Sequence, residues 1–276
     1  MTITLTDAVR VLDGLYDPRW AASWDAVGLV TGDPDQPVRR IMLAVDPVQA
    51  VIDEAVEWGA DLLVTHHPLL LRGVHGVAST GPKGRAVTSL VRAGVALFVA
   101  HTNADVADPG VSDSLAAALG VGDLRPLMGD PADPRRGLGR VGRLAAATSL
   151  QSFVAAVEAA LPATASGLRV AGDPDRVVEK VAVCGGAGDD LFAQVRASRA
   201  DVYVTADLRH HPASEALEHG TPALIDCPHW ATEWPWLSDA QSLLLAGLGA
   251  EAATVETRVS TIITDPWTTI SPRSQT

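Results

Sequence analysis

Residues 61–68 have the sequence DLLVTHHP, and this stretch decides the fold that we predict for the chain. Residues 61–65 form a short apolar run that is typical of a buried strand, and His66 and His67 follow where that strand ends. Residues 38–46 form a similar run, and residues 48–58 between the two predict a helix. Strand, helix and strand in this order form a βαβ unit, so we expect a parallel sheet.

The same alternation continues along the rest of the chain. The further predicted elements are helix 83–93, strand 95–100, strand 139–146, helix 150–160, strand 177–184, helix 189–198, strand 201–205, helix 212–219, strand 222–226, helix 237–248 and strand 253–261. Residues 59–65 (GADLLVT) resemble residues 199–205 (RADVYVT), and His-His-Pro follows each stretch within a few residues. The likeness predicts an internal duplication, although chance or shared βαβ patterning also accounts for so short a match.

Residues 129–137 are rich in Pro, Gly and charged side chains, which is typical of a connection between lobes. We therefore predict a first lobe at residues 1–128, completed by residues 230–276, and a second lobe at residues 129–229. The expected fold class is α/β, with two similar α/β lobes, mixed sheets and a metal site in the cleft between them.

Composition excludes several kinds of partner. The chain has 276 residues, 47% of them hydrophobic, which is enough for a sizeable core. Its 33 acidic residues against 21 basic ones argue against a nucleic-acid partner, because phosphate backbones are bound by clustered Lys and Arg. We expect no membrane partner, since no apolar run is long enough to span a bilayer. The two cysteines and the lack of a visible secretory signal predict a cytoplasmic protein.

Histidines and carboxylates follow the ends of three predicted strands. In open parallel sheets the loops beyond these ends form the ligand crevice, and imidazoles and carboxylates are ligands of divalent transition ions. The predicted metal ligands are His66, His67, Asp105, His229 and Glu233. Five ligands exceed the need of one tetrahedral ion, so we predict two ions about 3.5–4 Å apart that share a bridging water.

Two further histidines are candidates for proton transfer. His101 either orients a metal ligand or donates a proton near the bridging water. Either His210 or His211 is expected to line the cleft, and we take His101 and His211 as the candidate catalytic residues. Gly185 and Gly186 follow a predicted strand and could bind an anion through their backbone amides, but tight turns between strand and helix also need glycine.

These segments together resemble the dinuclear-metal family named GTP cyclohydrolase 1 type 2, also called the NGG-one-interacting-factor-three-like family. The motifs that carry the resemblance are, in order, SWDAVGL at 23–29, THHP at 65–68, HTNAD at 101–105, GVSD at 110–113, CGG at 184–186, TAD at 205–207 and HWATE at 229–233. By position, the family's metal ligands fall on the five residues that the chemistry selects. Ala26 stands where the family commonly has Asn and Ala206 where Gly is usual, which affects substrate contacts or turn geometry rather than the ligands.

The resemblance implies two divalent ions per chain, with Zn, Fe and Mn as candidates, and a toroidal homohexamer. It also implies a hydrolase acting on a small molecule such as a nucleotide, in which metal-activated hydroxide attacks the purine C8 and ring opening releases formate. Two alternatives remain open. One is a two-metal phosphoesterase on the same centre, and the other is a ring-shaped scaffold or metal chaperone without catalysis.

Overall fold

The computed structural model describes residues 2–220 and 222–271, in which strands and helices alternate along much of the chain. The strands are β1 (Ile3–Thr4), β2 (Gly28–Thr31), β3 (Pro37–Val38), β4 (Arg40–Ala44), β5 (Leu62–Thr65), β6 (Ala96–Val99), β7 (Val121–Asp130), β8 (Asp133–Ser149), β9 (Arg169–Ala171), β10 (Val177–Ala187), β11 (Val202–Ala206), β12 (Ala223–Cys227) and β13 (Glu256–Val259). The α-helices are α1 (Leu5–Leu15), α2 (Gln49–Trp58), α3 (Pro82–Ala93), α4 (Thr102–Val106), α5 (Val111–Ala118), α6 (Leu150–Ala160), α7 (Phe192–Ser198), α8 (His210–Glu218) and α9 (His229–Leu248). Short 3₁₀ helices span Pro18–Trp20, Asp189–Leu191 and Gly249–Thr254.

The described chain divides into two compact units. The first contains the residues up to Ala107 together with Leu237–Thr264, and the second contains Asp108–Trp236 and the described residues from Asp265 onward. The connection that we predicted at residues 129–137 is instead the turn of a hairpin, in which Gly129 of β7 pairs with Gly137 of β8. Pro, Gly and charge are as typical of a tight exposed turn as of a linker, which explains the difference. Of the predicted completing segment, residues 272–276 lie outside the described residues.

The sheet of the first unit has the strand order β13-β4-β5-β6-β2. Its strands β13, β4, β5 and β6 are parallel, and β2 adds an antiparallel edge. Every residue of β5 and β6 is buried, as expected for parallel strands with helices on both faces. Helices α2 and α3 both end at a glycine in the left-handed conformation, Gly59 and Gly94. These turns return the chain to the sheet, so that β5 and β6 end at the same edge.

The sheet of the second unit has the strand order β7-β8-β10-β11-β12-β9. Its centre, β10, β11 and β12, is parallel, while β7, β8 and β9 pair antiparallel at the two sides. The predicted α/β class with two lobes and mixed sheets is therefore confirmed. Among the described residues, no helix combines the length and the apolarity needed to cross a bilayer.

The two units share local structure that supports the predicted duplication. The tetrapeptide GDPD occurs at residues 32–35 and again at residues 172–175, and in each copy the last Asp N–H donates to the carboxylate of the first. Asp61 accepts hydrogen bonds from two consecutive backbone N–H groups at the start of β4, at 2.7 and 2.9 Å. Asp201 does the same with two consecutive N–H groups of β10, at 3.0 and 2.8 Å. The likeness between the two halves thus extends well beyond the seven residues compared above.

A buried ion pair fastens α5 to β8 within the second unit. Arg140 is 1% exposed, and its Nε lies 2.7 Å from Oδ1 of Asp113. Arg140 also donates to the carbonyl oxygens of Gly137 and Gly139, at 2.6 and 3.0 Å. A buried charge is tolerated only when it is paired and hydrogen-bonded in this way.

Candidate metal site

Three histidines of the first unit form a cluster beyond the ends of β5 and β6. His66 and His67 follow β5 and His101 follows β6, and each offers one ring nitrogen such that these atoms all lie within 4.8 Å of one another. The ring centroids are 5.0 Å apart for His66 and His67, and 5.2 and 5.4 Å from these two to His101. Such a group could hold a metal ion, because its nitrogen atoms converge.

The hydrogen bonds of His66 and His67 determine which ring nitrogen faces the cluster. Nδ1 of His66 lies 2.8 Å from the carbonyl oxygen of Ala100, and Nδ1 of His67 lies 2.7 Å from Oδ1 of Asp46. A carbonyl or carboxylate oxygen only accepts, so Nδ1 carries the hydrogen in both rings. In the neutral imidazole the lone pair is then on Nε2, which is the form that binds a metal ion. The other Asp46 oxygen accepts from the hydroxyl of Thr264, which holds the carboxylate in place.

His101 is fixed in the same way by Asp25. Its Nδ1 lies 2.8 Å from Oδ1 of Asp25, whose side chain is fully buried and also accepts from the backbone N–H groups of Ala26 and Thr102. Burial raises the pKa of Asp25, but the hydrogen bonds from His101 and Thr102 outweigh it and leave that pKa below its usual value. Burial and the neighbouring His66 lower the pKa of His101, which favours the neutral form of this ring. Trp24 packs edge-on against it, with ring centroids 5.9 Å apart.

Asp105 belongs to the same unit and lies one helical turn after His101, in α4. Its Oδ1 is 3.7 Å from Nε2 of His66. A carboxylate oxygen therefore lies near the ring nitrogen of His66 that does not bond Ala100. The structure brings together His66, His67, His101 and Asp105, all of which the sequence selected.

In the second unit, His229 and Glu233 occupy the first turn and a half of α9, directly after β12. Nε2 of His229 lies 2.9 Å from Oε1 of Glu233, as their spacing of four residues on one helical face predicts. Glu233 is 3% exposed. Nδ1 of His229 lies 2.7 Å from Oδ2 of Asp207, and this hydrogen bond lowers the pKa of Asp207. Both ring nitrogens of His229 therefore face a carboxylate, with Nδ1 held by Asp207 and Nε2 directed at Glu233.

Gly185 and Gly186 have a steric role beside this pair. Gly186 has φ +69°, and a Cβ there would overlap Oε1 of Glu233 and lie 3.1 Å from Nε2 of His229. The backbone N–H of Gly186 donates to the hydroxyl of Thr232 at 2.9 Å, and that of Gly185 to the hydroxyl of Ser112 at 3.3 Å. Because these N–H groups already have partners, the anion site considered for the CGG motif gains no support from the structure.

His211 lies elsewhere in the second unit. It is an exposed residue of the first turn of α8, and its ring is 5.1 Å from that of His210. Among the described residues, the groups of side chains arranged to hold a metal ion do not include it. Its proposed part in catalysis therefore remains a prediction.

Three carboxylates with a clear place in the site were missed as functional residues. Asp25, Asp46 and Asp207 each hold Nδ1 of one histidine, yet they are separated from that histidine by 76, 21 and 22 positions. Asp25 and Asp207 occur in motifs that carried the family resemblance, and Asp46 ends a predicted strand. The available signal was that Asp46 and Asp207 lie at or after the ends of predicted strands, as the histidines do, whereas Asp25 had only its place in the SWDAVGL motif.

Comparison with known proteins gives the family. A family model described as Duf34/NIF3 (NGG1p interacting factor 3) matches residues 3–266. A GTP cyclohydrolase 1 type 2 homolog of Streptomyces coelicolor is 53% identical over 266 residues, which cover 96% of this chain and 93% of that protein. A Mycobacterium tuberculosis protein of the same name is 39% identical, and the alignment covers 97% of each chain.

A solved structure has the same fold. A hypothetical protein from Staphylococcus aureus superimposes with a TM-score of 0.89 at 27% identity, over 98% of this chain and all of the other. The resemblance that we inferred from seven motifs is therefore confirmed. The chain belongs to the Duf34/NIF3 (NGG1p interacting factor 3) family.

Proposed function

We propose that this protein is a hydrolase that depends on two divalent metal ions. The observation that supports this most strongly is the orientation of four imidazole rings, each with Nδ1 bonded to an oxygen acceptor, so that Nε2 is the ring nitrogen that would bind a metal ion. Histidines that serve only packing have no reason to share this orientation, in which Nδ1 meets an oxygen atom in every ring. In metal sites this arrangement is general, because the acceptor fixes the ring and raises its basicity.

The donors fit divalent transition ions. We assign metal binding to His66, His67 and Asp105 of the first unit and to His229 and Glu233 of the second. Imidazole nitrogen with carboxylate oxygen suits Zn, Fe and Mn, whereas Mg and Ca prefer oxygen alone. When bound, two such ions would lower the pKa of a shared water and supply hydroxide near pH 7.

The remaining residues position and transfer protons. We assign His101 the role of general base or acid, since Asp25 fixes its Nδ1 and leaves Nε2 as the atom that exchanges a proton. Its lowered pKa suits a base that is neutral at pH 7. Asp46 keeps the ring of His67 from rotating.

The substrate that we propose is a nucleotide such as GTP, opened at purine C8 with release of formate. The names of the Streptomyces and Mycobacterium relatives support this choice. A phosphoester on the same centre is the second candidate, and a catalytically inactive metal carrier is the third.

The test is an assay of formate and phosphate release from GTP by protein loaded separately with Zn, Fe(II) and Mn. We expect formate release with at least one metal, and its loss together with bound metal in Glu233→Gln. Glu251→Gln is the matched control, because Glu251 is an exposed side chain in the 3₁₀ helix at Gly249–Thr254. Phosphate without formate would favour the phosphoesterase. Full metal loading with neither product from a broad substrate panel would contradict a hydrolase.

We further propose that the protein assembles as a toroidal homohexamer. Exposed large apolar side chains such as Trp24, Trp267 and Ile270 support an oligomer, since they are 61%, 68% and 58% exposed in the single chain. Light scattering should then give about six times the chain mass of 28.7 kDa. A mass of one chain at micromolar concentration would contradict it.

A further inference from the structure

Asp207 has an unusual backbone conformation. Its φ is +55°, and among the described residues it shares a positive φ with only two other non-glycine residues, Asp123 and Arg199. Side chains with a Cβ adopt this left-handed conformation at a cost, and such conformations concentrate at functional sites. Glycine would adopt it without strain.

The strained residue is also the hydrogen-bond partner of His229. Asp207 follows the last residue of β11, and its Oδ2 lies 2.7 Å from Nδ1 of His229. Its side chain is 59% exposed, so burial does not force the carboxylate into this place. In the alignment of the two halves, Asp207 occupies the position of His67, so the same point of the repeat serves the site in both units.

A turn alone does not explain this residue. The chain must turn after β11, because the next N–H, that of Leu208, donates to Oδ1 of Asp226 at 3.1 Å. A glycine at position 207 would permit that turn more easily than an aspartate. What an aspartate adds is the carboxylate that holds His229.

We propose that Asp207 is a positioning residue, whose left-handed backbone aims its carboxylate at Nδ1 of His229 and thereby keeps Nε2 directed at the place beside Glu233 where a metal ion would bind. This inference rests on the proposed metal binding. Asp46 and Asp25 hold His67 and His101 in the same manner, and neither has a positive φ. At position 207, therefore, the residue that orients the metal ligand also lowers the stability of the fold.

The first test measures folding stability and Zn affinity separately. In Asp207→Gly the backbone strain is relieved and the carboxylate is lost, so we expect an unchanged or higher urea midpoint with Zn affinity reduced about 10- to 100-fold. Asp123→Gly is the matched control, because Asp123 has φ +53° and is exposed in β7. It should change stability in the same direction and leave Zn affinity unchanged. Asp207→Asn, which tolerates the backbone and retains a neutral acceptor, should lose less affinity than Asp207→Gly.

The second test does not depend on bound metal. Solid-state NMR of metal-free protein labelled with ¹⁵N-histidine reports which ring nitrogen carries hydrogen, and His229→Gln identifies the signal. We expect hydrogen on Nδ1 of His229 in the wild type and a mixture of tautomers in Asp207→Gly. If the wild type binds no Zn, the proposed function fails while the NMR comparison still decides the role of Asp207. An unchanged tautomer, or an unchanged Zn affinity in Asp207→Gly, would overturn the inference.

Discussion

Replacing Gly186 by alanine should damage the metal site through a single added methyl group. Two effects combine at this position. The φ of +69° costs a residue with a Cβ about 1–2 kcal/mol. The new Cβ would also overlap Oε1 of Glu233, a side chain that is only 3% exposed and has little room to move, and such overpacking costs about 1–3 kcal/mol. We expect Gly186→Ala to lower the free energy of unfolding by about 2–5 kcal/mol.

Gly94→Ala isolates the first effect, the cost of the positive φ. Gly94 has the same φ of +69°, but a Cβ there would meet no atom within 4 Å. This variant should lose only the conformational part, about 1–2 kcal/mol, and should bind metal like the wild type. Because the clash in Gly186→Ala displaces Glu233 and crowds Nε2 of His229, we expect its Zn affinity to fall about tenfold or more.

Both quantities can be measured on the same preparations. Urea unfolding in the presence of a chelator gives the free energies, and competition with a chromogenic chelator gives Zn affinity. The reasoning is refuted if Gly186→Ala and Gly94→Ala have equal stability and equal Zn affinity, since the contact with Glu233 and His229 would then have no consequence.

Three other predictions concern stability and reactivity. Arg140→Met removes the guanidinium that bonds the half-buried carboxylate of Asp113 and should cost about 1.5–3 kcal/mol in urea unfolding, whereas Arg143→Met, which breaks an exposed pair, should cost less than about 1 kcal/mol. Cys184 and Cys227 are 8% and 5% exposed, and burial raises the pKa of Cys227 to about 12. Ellman's reagent at pH 8 should therefore label both thiols only after the protein unfolds. Rapid labelling of the folded protein would count against this burial. Thr4, the N-cap residue of α1, donates hydrogen bonds from its backbone N–H and its hydroxyl to Asp7, and these lower the pKa of Asp7 from 3.8 to about 2. The ionised Asp7 therefore stabilises the fold above about pH 4, and this stabilisation is lost as the pH falls toward 2. Asp7→Asn should therefore lower the urea midpoint at pH 6 but not near pH 2, and an equal effect at both values would exclude this cause.

The parallel strands were predictable from the sequence because they are buried on both faces. Strand β5 was expected at residues 61–65 and spans Leu62–Thr65, and β6 was expected at residues 95–100 and spans Ala96–Val99. A continuous apolar run closed by a polar residue gives such strands a clear signal. It also indicated where His66, His67 and His101 would lie, since these follow the runs directly.

The hairpin of β7 and β8 was largely missed for the opposite reason. Strand β7 has mostly exposed or half-buried residues, and it contains two glycines and a proline. Without a regular alternation of apolar and polar side chains, its sequence does not differ from that of a loop. Only residues 139–146 of β8 were recognised, a stretch that begins with four buried residues, 139–142.

The start of α9 and the partners of the histidines were beyond local patterns. Helix α9 begins at His229, although we predicted a helix only from residue 237, because Pro235 interrupts the helical pattern. The partners of His101 and His67, Asp25 and Asp46, come from distant positions, and no spacing rule links them. Gly186 was attributed to a turn, whereas its close approach to Glu233 requires the fold to be known.

The most direct test of the metal centre is the ratio of metal to protein chain, determined by elemental analysis. It should be measured on protein purified without added metal and again after reconstitution with Zn, Fe(II) or Mn. We predict about two ions per chain in the best metal, and fewer in Glu233→Gln. Less than one ion per chain with every metal would contradict the assignment of His66, His67, Asp105, His229 and Glu233 as ligands.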